Sequence, residues 1–327
     1  MKKIQLFQSL IKKAQNIVIS THLHPDADGI GSEIALCRAL RLSGKNVACV
    51  NEEPLMERYR YLDPEFSLIS FEDFMKEPPF EDVDLFIVVD TNALARIGNN
   101  VQKIVTKARN LLFIDHHPCP KELAAIHCID TKMAATGELV GRLIQSLEIP
   151  FDKEMALALY TSILIDTSSF RYPTVTSQTH HLIGDLMETG IEPPVAYNSI
   201  YGTKKITYMQ MLGNVLSHAR INENESVAYL TLNEDLLEKF DVEMEDTHGF
   251  VNYLLILDNV KVACMFRQNG KHIKISLRSA GDVDVGVMAQ ALGGGGHNHS
   301  AATVIEGKME EVVAETVSKI ELMLSHE

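Results

Sequence analysis

The stretch Thr21-His22-Leu23-His24-Pro25-Asp26-Ala27-Asp28-Gly29-Ile30-Gly31-Ser32 puts the His22 imidazole and the carboxylates of Asp26 and Asp28 within seven residues. The apolar run Ile17-Val18-Ile19 leads straight into it. The predicted setting is therefore the loop at a strand's carboxyl end, where ligands bind in open α/β sheets. Taken alone, it could equally be a polar loop that caps the next helix. Two further apolar runs end in the same way: Leu85 to Val89 delivers Asp90, and Leu111 to Ile114 delivers Asp115-His116-His117. Singly, Asp90 reads as a helix cap and the paired histidines as a turn before Pro118. Jointly, three strands of one sheet would carry carboxylate and imidazole groups to a single edge. A fourth piece is Asp166, which closes the apolar helical run Glu154 to Ile165. An ionised carboxylate at such a place is costly unless it is paired or bound to metal.

Together His22, Asp26, Asp28, Asp90, His116 and Asp166 offer oxygen and imidazole donors without a thiolate. That set suits Mn²⁺ first, and Mg²⁺, Co²⁺ or Fe²⁺ second, better than a structural zinc. Six donors with four carboxylates exceed the needs of one ion. Two divalent cations sharing one carboxylate and a water would use them all, and such a pair activates the water while clamping a phosphoryl oxygen. His117 is not needed to complete the ligand count, and its expected role is to stabilise charge developing on a phosphoryl oxygen. Farther along, Ile273 to Ser279 reads as a strand bearing Arg278, followed by an apolar helix from Val285 to Leu292 and the run Gly293-Gly294-Gly295-Gly296-His297. Glycines let backbone N–H groups approach an anion, and a helix predicted over Asn298 to Ala302 would present its N-terminus to phosphate. A flexible loop and a surface arginine are the plainer alternatives.

The elements that must position these groups follow an α/β cadence. Apolar runs rich in β-branched residues, Ile17 to Ile19, Val47 to Val50, Leu85 to Val89 and Leu111 to Ile114, read as strands buried on both faces of a parallel sheet. Between the first two, Ile30 to Ser43 has helical apolar spacing and Gly44 as a stop. From Ala135 to about His218 helical signatures follow one another, at Glu154 to Ile165, Thr179 to Thr189 and Lys204 to Arg220. Strand-like runs then return at Val227 to Thr231, Val260 to Phe266 and His272 to Leu277, with Asn269-Gly270 as a hairpin turn. The expected fold is α/β: an N-terminal, mostly parallel sheet flanked by helices, plus a smaller α/β C-terminal domain. The expected division is a metal-binding catalytic domain over 1–202, a linking helix and loop over 203–225, and a substrate-binding domain over 226–327.

Length and composition agree with this picture. The chain has 327 residues, enough for two ordinary domains, and 46% are hydrophobic, enough for real cores. Its 30 basic residues face 44 acidic ones, a net charge of −14 that disfavours wrapping duplex DNA or coating an anionic membrane. Five scattered cysteines without a Cys-x-x-Cys signal neither a disulfide framework nor a thiolate zinc site, which suits a reducing cytoplasm. No run approaches 18 apolar residues, and the N-terminus does not read as a signal peptide.

These residues resemble the DHH phosphoesterase family. The Asp-His-His is Asp115, His116 and His117, the His-x-x-Pro-Asp-x-Asp is His22 to Asp28, the strand-end Asp is Asp90, and the Asp-Thr-x-x-Phe is Asp166 to Phe170. Ser276 to Ser279 and Gly293 to His297 are similar to the Ser-x-Arg-Ser and Gly-Gly-Gly-Gly-His of the DHH-associated domain. After that histidine the pattern departs, with Ser300-Ala301-Ala302 where the family has Ala-Ala-Gly. The resemblance implies one cation on His22, Asp26 and Asp90, a second on Asp28, Asp90, His116 and Asp166, and His117 on the scissile phosphate. It further implies that Arg278, Gly293 to Gly296 and His297 hold the substrate across a cleft between domains. A two-domain chain of this length is similar to the group that hydrolyses short oligoribonucleotides and 3′-phosphoadenosine 5′-phosphate. The alternatives are a cyclic or linear dinucleotide phosphodiesterase and an inert nucleotide-sensing protein, the last requiring lost ligands. A homodimer is compatible with the sequence and not specified by it.

Overall fold

The structure is a computed structural model describing residues 2–65, 67–119, 126–202 and 204–325. The chain divides into two compact units, Met1–Thr203 and Lys204–Glu327. The apolar runs of the first unit become a six-stranded parallel sheet. Along the chain its elements are α1 (Lys2–Lys13), β1 (Asn16–Ser20), α2 (Ala27–Leu42), β2 (Asn46–Asn51), β3 (Leu68–Ser70), α3 (Phe71–Lys76), β4 (Leu85–Val89), α4 (Gln102–Val105), β5 (Leu111–Asp115), β6 (Ile126–Ile129), α5 (Thr136–Ser146), α6 (Lys153–Asp166), α7 (Ser177–Met187) and α8 (Pro193–Ile200). The strand order is β3-β2-β1-β4-β5-β6. It reverses direction between β1 and β4, the switch point at which doubly wound sheets open a crevice outside their strand carboxyl ends.

Strand residues alternate between two cores. Ile17, Ile19, Ile87 and Ile114 pack with α2, α5 and α6 on one face, while Val18, Phe86, Val88 and Phe113 pack with Phe74, Ile97 and Ile104 on the other. Burial on both faces explains why these strands read as continuous apolar runs rather than as alternating ones. The edge strands β3 and β6 were not expected. β3 has three residues, and Ile126-His127-Cys128-Ile129 carries a polar residue, so neither makes a distinct apolar run.

The second unit comprises α9 (Ile206–Ser217), β7 (Arg220–Ile221), β8 (Val227–Leu232), α10 (Glu234–Phe240), β9 (Val262–Asn269), β10 (His272–Ser279), α11 (Val285–Ala291), β11 (Gly295–His297), β12 (Ser300–Glu306) and α12 (Met309–Leu324). Its strands form a six-stranded sheet in the order β11-β12-β10-β9-β8-β7. β8 and β9 run parallel and the other pairs antiparallel. In β9, Val262, Cys264 and Phe266 face one core, and Ala263 and Met265 the other. The segment expected to link the domains packs here: Met211, Leu212 and Val215 of α9 are buried with Phe250 and Leu230.

The helix predicted over Asn298 to Ala302 is not formed. Ser300 to Glu306 is a strand paired along its whole length with β10, and Gly295 to His297 pairs back onto it. Ala301 and Thr303 are buried, so the segment has the period of two that belongs to a strand. Part of the glycine run has a packing reason as well. A Cβ on Gly294 would strike the Ala302 carbonyl, and one on Gly296 would strike Ala301 and the Ser300 carbonyl. The expected helix N-terminus that would receive phosphate is therefore absent from this segment.

Candidate active site

Each strand of the switch region hands over a donor. His22 follows β1, Asp90 follows β4 directly, and His116 and His117 follow Asp115, the last residue of β5. Asp26 is the N-cap of α2, its carboxylate accepting from the Asp28 and Gly29 amides at 2.9 and 3.3 Å. The capping alternative and the donor reading thus apply to the same residue. Asp28 lies inside the first turn of α2 rather than in the loop, and Asp166 is the last residue of α6. Asp90 has φ +62°, a left-handed backbone that few side chains tolerate. Beside it, a Cβ on Gly29 would collide with the Thr21 hydroxyl and lie 3.4 Å from Asp90 Oδ2.

The six donors converge. Ligand atoms of His22, Asp26 and Asp90 lie within 4.8 Å of one another, as do those of Asp28, His116 and Asp166, and those of Asp90, His116 and His117. His22 Nε2 is 3.4 Å from Asp90 Oδ2, and His116 Nε2 is 3.1 Å from Asp166 Oδ2 and 3.8 Å from Asp28 Oδ2. The far nitrogens settle the chemistry. His22 Nδ1 is 2.8 Å from the Leu23 carbonyl and His116 Nδ1 is 3.2 Å from that of Met133, so each donates there. In the neutral ring Nε2 then turns a lone pair toward a carboxylate, an arrangement that needs a cation or a proton between them.

The carboxylates give the same answer. Burial, reinforced by Asp28 and Asp26, holds the Asp90 carboxyl well above the usual carboxylate range, and burial pushes Asp166 up to about 8 and raises Asp28. Burial works against a charged His116, yet Asp166, Asp28 and Asp90 outweigh it and raise the imidazole to about 9. A site that draws protons so strongly has the charge and the oxygen and nitrogen donors to hold divalent cations instead.

The groups that orient the donors were not read from the sequence. Thr136 and Gly137, at the start of α5, donate their amides to Asp28 Oδ2 and Oδ1, each at 2.9 Å, and Ser162 of α6 donates its hydroxyl to Asp28. The Thr136 hydroxyl donates to Asp90 Oδ1 at 2.9 Å. Asp115 is fully buried. Its Oδ1 lies 2.7 Å from His117 Nδ1, and its Oδ2 accepts from Asn92 at 2.7 Å. Burial would raise Asp115, but hydrogen bonds and charge from His117 prevail and hold it below the usual range. Asn51 accepts from the Thr21 amide at 3.1 Å and donates to the buried Glu33 at 2.8 Å, fixing the end of β1. No local sequence signal marks Thr136, because its hydroxyl serves Asp90, 46 residues away, and not the cap of its own helix.

Arg278, Gly293 to Gly296 and His297 lie in the second unit. Arg278 is aligned with Ser300 across β10 and β12, and Ser300 with His297 across β12 and β11, so the three stand in one row of the sheet. The Arg278 guanidinium is half-buried and donates to the Leu277 carbonyl at 2.9 Å.

Comparison with known proteins now adds to this geometry. Residues 16–163 match the DHH family, N-terminal domain, and residues 224–325 match the DHHA1 domain. The chain belongs to the DHH phosphoesterase family. The first match encloses every donor of the site except Asp166. As a DHH phosphoesterase the chain is a hydrolytic enzyme, and its histidine and carboxylate clusters could hold metal. Over 308 residues, 94% of this chain and 89% of the relative, it is 28% identical to the bifunctional oligoribonuclease and PAP phosphatase NrnA of Thermus thermophilus. It is 24% identical over 315 residues to the cyclic-di-AMP phosphodiesterase GdpP of Bacillus subtilis, covering 92% of this chain but 46% of that protein. Among solved structures, an exopolyphosphatase-related protein from Bacteroides fragilis superposes with a TM-score of 0.87 at 28% identity, covering 99% of this chain and 96% of that one. Among the described residues of this DHH protein, no helix is long and apolar enough to cross a membrane.

Proposed function

We propose that the chain hydrolyses short oligoribonucleotides, 3′-phosphoadenosine 5′-phosphate, or both, to nucleoside monophosphates. The observation that carries this is the convergence of four carboxylates and two imidazoles at the switch point of the sheet, with the imidazole tautomers set to receive cations. The NrnA relative, matched over nearly the whole chain, supports the substrate class. His22, Asp26 and Asp90 would hold one divalent cation and Asp28, His116 and Asp166 another, with Asp90 shared and Mn²⁺ the best match to the donors. When bound, such ions polarise a phosphoryl oxygen and lower the pKa of water.

The protein's own groups do the rest. Asp26, as the α2 cap, and Asp28, under two backbone N–H donors, are fixed before any ligand arrives. Asp115, held low by His117 and braced by Asn92, fixes the His117 ring through Nδ1. The ring is assigned the stabilisation of negative charge as it builds on a phosphoryl oxygen. Arg278, Gly293 to Gly296 and His297 are assigned the grip on the remainder of the substrate, on the strength of the motif resemblance, with Arg278 and His297 in one row of the sheet.

A second reading, hydrolysis of cyclic or linear dinucleotides, draws on the GdpP likeness. The test is a side-by-side rate panel with Mn²⁺ containing 3′-phosphoadenosine 5′-phosphate, ribonucleotides of two to five residues, linear and cyclic dinucleotides, and pyrophosphate. Highest kcat/KM on the bisphosphate or the short ribonucleotides supports the proposal. Highest kcat/KM on a cyclic dinucleotide or on pyrophosphate overturns it.

A further inference from the structure

One short segment, residues 133–137, touches donors of both clusters although it contributes none. The Met133 carbonyl receives His116 Nδ1, the Thr136 amide reaches Asp28 Oδ2, and the Thr136 hydroxyl reaches Asp90 Oδ1. Thr136 is fully buried, so no water competes for these bonds. We infer that Thr136 is a positioning residue coupling the two cation clusters, its hydroxyl presenting Asp90 to the His22 cluster while its backbone fixes Asp28 for the His116 cluster. The inference rests on the two-cation reading above.

The division of labour follows from which atoms are engaged. A carboxylate turns about its last torsion, and with Oδ1 tied to Thr136 the other oxygen, Oδ2, stays 3.4 Å from His22 Nε2. Without the hydroxyl, Asp90 loses a buried donor and must be oriented when the cation binds. Asp28 suffers no such loss, because its donors here are main-chain amides. The segment itself is held by other means. Buried Glu138 accepts from the Ala134 amide at 2.9 Å and from the Thr179 hydroxyl at 3.2 Å, and it pairs with Arg142. A side-chain change at Thr136 therefore leaves the main chain anchored.

The test is Mn²⁺ titration by calorimetry of the EDTA-stripped full chain, with Tm and kcat/KM measured beside it. Thr136→Val keeps the shape and removes the hydroxyl; Thr136→Ser keeps the hydroxyl. In the wild type two ions bind. In Thr136→Val one step is expected to stay near its wild-type affinity while the other weakens about 10- to 100-fold, the size typical of losing a group that orients a metal ligand. Thr136→Ser restores both. A wild type that takes up no Mn²⁺ overturns the two-cation reading itself. A Thr136→Val protein that binds both ions normally, or weakens both equally, overturns the coupling and leaves that reading standing.

Discussion

Asp90 combines two unusual properties at one residue: a left-handed backbone and a carboxylate tied on one side to Thr136 and facing His22 on the other. Asparagine is among the few residues at ease in that backbone region, so Asp90→Asn removes the charge with little added strain. It should lose more than about 100-fold in activity, beyond the range seen for groups that merely orient ligands, and elemental analysis should show less bound Mn²⁺. His117→Ala predicts the opposite split. With His117 outside the two three-residue groups assigned to the cations, His22–Asp26–Asp90 and Asp28–His116–Asp166, metal content should stay at the wild-type level while kcat falls about 10²- to 10³-fold, as for loss of one donor to a developing oxyanion. Metal loss in that variant would instead make His117 a ligand. The candidate donors could be picked out from the sequence because His22, Asp90 and His116 follow apolar strands and Asp166 closes an apolar helix. Thr136, Asn92, Asn51 and Glu138 were not, because their meaning lies in hydrogen bonds to segments distant in sequence.

Elements of secondary structure place two buried carboxyl groups, Asp28 and Asp90, and the half-buried Asp166 close together, and this has a pH signature. Asp28, Asp90 and Asp166 keep their protons to higher pH in the metal-free fold than in the unfolded chain, Asp166 to about 8, and His116 keeps its proton to about 9. The fold therefore binds more protons than the unfolded state over this window. The stability the carboxyl groups contribute is full below about pH 4 and, for Asp166, is lost as pH rises through about 8, while that of His116 is full below about pH 6.5 and is lost as pH rises through about 9. In EDTA, Tm should fall between pH 5 and pH 8. Added Mn²⁺ takes the place of the protons, so the Tm gain on adding it should be larger at pH 8 than at pH 5. A metal-free Tm that climbs with pH over this range contradicts the assignment. At this scale the central strands were readable from β-branched runs, whereas β3 and β6 were too short or too mixed. Within the helix expected over Asn298 to Ala302, Ser300 to Ala302 instead pair with β10, a partner distant from the local pattern.

Across the whole molecule, the net charge of −14 means that attraction for a polyanion is confined to a few places. If about two or three phosphates are gripped, the salt dependence of binding a single strand should have a slope of only about −1.4 to −2.1. kcat/KM should decline beyond a handful of nucleotides, since added phosphates meet repulsion rather than contacts. Rates measured from two to about 25 nucleotides at several salt concentrations check this, and a rate rising steadily with length would indicate a processive exonuclease. The segment over 203–225 is expected as a linking helix and loop, and the buried face of its helix α9, set against Phe250 and Leu230, becomes visible only once β8 and β9 are in place. The partners of Asp28 have one more consequence, which concerns synthesis. Thr136 lies 108 residues downstream of Asp28, and Ser162 lies 134 residues downstream. At ribosomal speeds of about 5 to 20 residues per second, the Asp28 carboxylate is made about 5 to 20 s before Thr136. During that interval α2 has a charged residue in its first turn and no α5 or α6 to bury it against, so a nascent chain halted before Thr136 should remain open to proteases at the β1–α2 junction, and one extended past Asp166 should not.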